Sequence, residues 1–189
     1  IDTLLPIFTI QELGWTNTSF SEVFSITTII GGFLGMFIGG YLVDYFGKIK
    51  MLTLYLAIIT FLIAAFAFMN NLWSNNFIVY AFILSYYTFY TFLCIAVFAS
   101  GMHLCWKTVA ATQFTLYMAI SNMGRAAGAA SLGILKTNFS WEIVFLIIAI
   151  MPVIMAVLIQ FIHFDNHRAK VDSFVILDHT LVAPAVIKD

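Results

Sequence analysis

Between residues 19 and 162 the chain carries almost no charge, and its apolar residues come in blocks long enough to cross a bilayer. A spanning helix needs roughly 20 mostly apolar residues. Five full blocks of that size occupy residues 19–45, 51–69, 77–100, 108–135 and 140–162, and residues 1–13 read as the last part of a sixth. A soluble core does not account for this, because 62% of the chain is hydrophobic and only 9% is charged, far from the ordinary globular mix. In lipid the backbone must satisfy its own polar groups, and these blocks are far too long for barrel strands. The sequence therefore predicts an all-α polytopic membrane protein. Its membrane domain is residues 1–162, with one partial and five full spans. Residues 163–189, where the chain turns polar, are expected to form a tail outside the bilayer.

Asp2 lies about 11 residues before the end of the first block, or about 17 Å at 1.5 Å per residue, near the middle of a ~30 Å hydrocarbon core. The simplest expectation is that the chain opens inside a spanning helix and is a fragment of something longer. Pro6 should kink that helix. Orientation follows from the loops. Lys48, Lys50, Lys107, Arg168 and Lys170 alternate onto one side, whereas Lys136 is the basic residue of the opposite loops, 15–17, 70–76 and 136–141. Basic loops stay cytoplasmic, so the tail is expected inside. Trp15, Trp73, Trp106 and Trp141 fall at span ends, where an interfacial aromatic belt would sit. The triplets at Asn17 and Asn138 match glycosylation sequons, but turn and capping roles suit them better. Ser19 to Glu22 reads as a capping box. Cys94 and Cys105 support neither a disulfide framework nor a metal pattern.

Gly31, Gly35 and Gly39 recur every four residues along one face, which lets another helix come close. That span runs into Gly40, Asp44, Gly47 and Lys48. Here the chain resembles the major facilitator superfamily, whose loop signature G-x-x-x-D-R-x-G-R-R lies between the second and third helices of each six-helix half, on the cytoplasmic side. Tyr45 and Ile49 replace basic residues of that signature, with Lys50 one place later. The resemblance implies that Asp44 holds the cytoplasmic gate by meeting the positive end of a neighbouring helix; capping of its own helix end is the alternative.

Residues 111–125, from Ala111-Thr112-Gln113-Phe114 to Gly124-Arg125, resemble the eleventh helix of AmpG-type muropeptide permeases, whose relatives carry siderophores or acetyl-coenzyme A. Ser140, Trp141 and Phe145 fill the places of the start of the twelfth helix, with Ser for Gly. This resemblance is specific over residues 111–145 and otherwise a matter of layout. It implies the C-terminal six-helix half of a major facilitator fold, with the first helix truncated and the N-terminal six-helix half as its missing partner.

Independently of the family, Arg125 lies inside a span, and an arginine at the bilayer centre costs from ~3 to ~10–17 kcal/mol depending on method. It must face protein or water. Gln113, Tyr117, Ser121 and Arg125 are spaced by four, with Asn122 beside them, a stripe typical of a pathway or an interhelical network. Ser85, Tyr86, Tyr87, Thr88, Tyr90 and Thr91 put hydroxyls at depth in another span, as a wet cavity or as hydrogen-bonded packing. Asp2 is the acid nearest the midplane and a candidate proton site.

The expected function is secondary active transport by alternating access. The solute would be small and polar, such as a muropeptide, sugar-peptide or siderophore, and protons would be the coupling ion. Arg125 would suit an anionic group. The expected location is the bacterial inner membrane, with membrane lipid around the chain and no nucleic-acid partner. An enzyme is not expected, since no His/Asp/Glu cluster lies within the spans, nor is a cofactor or metal. The alternatives are a non-transporting scaffold and a half-transporter that dimerises.

Overall fold

The fold, a computed structural model, describes residues 1–161 of the 189-residue chain. The expected tail, 163–189, and with it Arg168 and Lys170, lies outside the described residues. Among the described residues the secondary structure is helical, with no strand. We number the helices α1 (Leu4–Gln11), α2 (Asn17–Phe46), α3 (Lys48–Phe68), α4 (Asn76–Leu104), α5 (Ala110–Asn138) and α6 (Trp141–Gln160). Short 3₁₀ turns at Asn70–Leu72 and Lys107–Val109 lie in two of the connections.

Four helices, α2, α3, α4 and α6, are long and apolar enough to cross a membrane. α5 has the length, at 29 residues, but falls below them in hydropathy, because Gln113, Ser121, Asn122, Arg125 and several glycines and alanines dilute its apolar residues. Of the five full spans expected, four are therefore long and apolar enough to cross a membrane. α5 also stands apart in packing: Leu132 is its one buried residue. The tight bundle consists of α3 against α4 and α6, and α2 against α4.

Local rules explain the boundaries. Thr16, not Ser19, caps α2, its hydroxyl accepting from the Ser19 N–H at 3.1 Å. The expected capping box is thereby corrected; Glu22 is an exposed residue one turn further in. Gly47 separates α2 from α3 at φ 91°, a conformation costly for any residue with a Cβ. Pro6 falls in the first turn of α1, one residue after the Leu5 N–H bonds the Ile1 carbonyl at 3.0 Å, and it removes the N–H that would carry that ladder on to the Asp2 carbonyl. The interior proline is Pro152 of α6, which removes the N–H that would bond the Ile148 carbonyl. Asn138 bonds the Ile134 carbonyl at 2.7 Å at the end of α5.

Glycine spacing sets the α2–α4 contact. Gly31, Gly35 and Gly39 are buried, and a Cβ on Gly35 would sit 2.8 Å from the Thr91 Cγ2 and 3.1 Å from the Ile95 Cδ1. The same stretch, Gly35–Gly39, is wound as a π-helical turn.

At one end of the bundle, aromatic rings form a plug. Phe8 meets Phe66, Trp73, Trp141 and Phe145 edge-on at 4.9–5.8 Å. Trp73 donates to the Phe66 carbonyl at 2.9 Å, one of the last carbonyls of α3. Trp73 and Trp141 are therefore buried in the core and do not face lipid as belt residues, which corrects that expectation. The same end gathers the connections 12–16, 70–76 and 139–140: Trp15 donates to Asn76 at 3.3 Å, and Asn70 to Glu142 at 2.7 Å. Lys136 sits over the Trp141 ring at 4.2 Å. Lys48 and Lys107, one helix length away along α3 and α4, belong to the opposite end.

Candidate functional site

Asp2 and Arg125, 123 residues apart in sequence, form an ion pair, Arg125 Nη2 to Asp2 Oδ2 at 3.1 Å. Arg125 is the sixteenth residue of the 29 in α5, so the pair lies at mid-helix. The other carboxylate oxygen, Asp2 Oδ1, is buried and has no hydrogen-bond partner among the described residues, although an oxygen of an ionised carboxylate out of water needs a donor. The Arg125 side chain is 62% exposed and that of Asp2 33%. The pair is therefore open on the arginine side.

Two cavities share this pair. The first, about 410 Å³, lies between α2, α4 and α5 and is lined by Phe20, Phe24, Thr28, Tyr87, Tyr90 and Thr91 together with Asp2 and Arg125. Tyr87 meets Phe24 edge-on at 5.1 Å. The second, about 550 Å³, lies between α1, α5 and α6 and also includes Asp2 and Arg125.

Of the candidate pathway residues, Asp2, Tyr87, Tyr90 and Arg125 converge on the first cavity. Tyr86 lies behind them in the hydrophobic core, stacked on Tyr90 at 5.9 Å. Gln113, Tyr117 and Asn122 line neither cavity. Gln113 instead accepts from the Trp106 N–H at 2.7 Å and ties down the turn that enters α5. The stripe at spacing four therefore divides: Ser121 and Arg125 reach the second cavity, and Gln113 braces a loop. The hydroxyls of Thr88 and Thr91 donate to the carbonyls of Leu84 and Tyr87 on their own helix; Thr91 still lines the first cavity. Phe20, Phe24 and Thr28 are site residues that the sequence reading missed. Their signal is a spacing of four, concealed within an apolar run.

At the other sequence motif, Asp44 is exposed near the end of α2, and among the described residues no hydrogen bond or ion pair joins it to a neighbouring helix. Gly40 and Gly47 face open space and Lys48 is half-buried. Among the described residues no group of three or more His, Cys, Asp or Glu could hold a metal.

These features define a helical, membrane-type bundle with one mid-helix charge pair between two cavities. Comparison with protein-family models, with curated proteins and with solved structures found no match.

Proposed function

We propose that the chain is the C-terminal six-helix half of a major facilitator-type secondary transporter, working in a bacterial inner membrane. It moves a small polar solute with an anionic group, such as a muropeptide, sugar-peptide or siderophore. The observation that carries this reading is the Asp2–Arg125 pair, held at mid-helix between two cavities with one carboxylate oxygen unpartnered. Charges at that depth are costly and are kept where a solute or a proton is handled.

Arg125 anchors the solute, because a guanidinium keeps further donors after one bond to Asp2. Asp2 takes the coupling proton at Oδ1. Protonation weakens its hold on Arg125, and an anion arriving at Arg125 replaces the carboxylate. Phe20, Phe24, Tyr87 and Tyr90 supply rings and hydroxyls on which a polar solute with ring faces can rest. The exposed polar side of α5 faces a second six-helix half rather than lipid.

The test is solute uptake in proteoliposomes. Arg125→Ala should abolish uptake while leaving the protein in the membrane. Arg125→Lys should retain part of it, since an ammonium lacks the guanidinium fork. Uptake at the normal rate by the alanine variant would leave Arg125 structural and favour a non-transporting scaffold.

A further inference from the structure

The larger cavity, between α1, α5 and α6, is not used by this transport reading. None of the α4 tyrosines lines it, and its volume of about 550 Å³ is that of a small-molecule site. Its apolar walls are Leu4 of α1, Leu132 and Leu135 of α5, and Ile147, Ile148 and Met151 of α6, with Thr3, Ser121 and Ser131 as its neutral polar lining. Gly124 and Gly128 keep the α5 side open, since a Cβ at either would meet nothing within 4 Å. Asp2 and Arg125 are the charged residues of the lining. From Arg125 to Leu135 the α5 lining extends over ten residues, about 15 Å of helix, apolar except at Ser131, whose hydroxyl donates to the Ala127 carbonyl.

A purely polar solute leaves the leucine, isoleucine and methionine walls uncovered, and a purely apolar one leaves the free guanidinium donors unused. We propose that this cavity binds an amphiphilic anion, a single carboxylate joined to an alkyl chain. The carboxylate sits on Arg125, and the chain runs past Leu132 and Leu135 against Ile148 and Met151. This deepens the assignment of Arg125 as the anion anchor and rests on it. A two-chain anionic lipid offers the same chemistry from another source; the site takes the single-chain molecule.

The experiment is binding of straight-chain carboxylates, butanoate to dodecanoate, to the protein in nanodiscs of neutral phospholipid, with empty nanodiscs subtracted. Each buried methylene contributes about 0.8 kcal/mol, so affinity should rise about fourfold per carbon and level off once the cavity is full. Arg125→Gln should weaken every member by about tenfold or more, the loss of a charge-assisted bond. Gly128→Leu, and independently Ile148→Phe on the facing helix, should flatten the rise with chain length, and a thermal unfolding midpoint equal to the parent's reports an intact fold. A rise that never levels and is identical in the filled variants is partition into the bilayer and overturns the proposal. Arg125-dependent binding confined to anionic phospholipid overturns it as well. Arg125-dependent butanoate binding without any chain-length rise removes the cavity assignment and keeps the anion anchor. No carboxylate binding at all removes both.

Discussion

Removing either member of the Asp2–Arg125 pair should cost more than removing both. At 3.1 Å the Coulomb attraction is about 5 kcal/mol at an effective dielectric of 20 and about 1 kcal/mol in water. Arg125 is 62% and Asp2 33% exposed, so the coupling falls between these limits, at about 2 kcal/mol. Asp2→Asn leaves an arginine at mid-helix without its counter-charge. Arg125→Gln leaves a carboxylate whose Oδ1 already has no donor and whose Oδ2 then loses its charged partner. Removing one partner of a pair that water reaches only in part is the costly step, because it strands the other charge. The double variant Asp2→Asn with Arg125→Gln strands neither. Stability measured by denaturing-detergent titration in mixed micelles should show each single variant clearly destabilised and the double variant near the parent. The coupling should shrink as salt is raised, as an accessible pair requires. Additivity of the two single effects to within about 0.5 kcal/mol would mean that the pair contributes nothing, and both the anchor and the proton role would lose their support.

Three other outcomes are expected. Gly35→Leu should impair assembly far more than Ile38→Leu, because position 35 meets Thr91 and Ile95 at van der Waals distance or closer whereas Ile38 is exposed; equal thermal stability of the two variants would remove the close-packing assignment. Phe8→Ala should destabilise by about 2–6 kcal/mol, from four edge-on ring pairs at ~0.5–1.5 kcal/mol each, and Phe8→Leu by less; the check is thermal unfolding in detergent. An impermeant thiol reagent should label a cysteine at 71 from outside intact cells and one at 50 only after permeabilisation; labelling of position 50 from outside would invert the proposed topology.

Much of the fold was legible in the sequence because apolar blocks of spanning length have few structural choices. Backbone groups in hydrocarbon must bond within the segment, so apolar block length alone located the helices: residues 19–45 became Asn17–Phe46 and residues 77–100 became Asn76–Leu104. Glycine spacing is similarly local, since residues four apart share a face whatever packs there, and Gly31, Gly35 and Gly39 meet α4 for that reason. Arg125 was conspicuous by its charge in apolar surroundings.

Which residues meet was decided only by tertiary structure, since helical periodicity gives a direction around one axis and nothing about neighbouring axes. Gln113 and Arg125 share a stripe, yet one braces the turn before α5 and the other meets Asp2. Trp73 and Trp141 stand at span ends in sequence, yet both turn inward onto Phe8, where ring contacts and the Phe66 carbonyl hold them. Asp2 and Arg125 were separately visible as costly charges; that they share one ion pair depends on where α1 lies against α5, which is a property of the whole bundle and of no single helix.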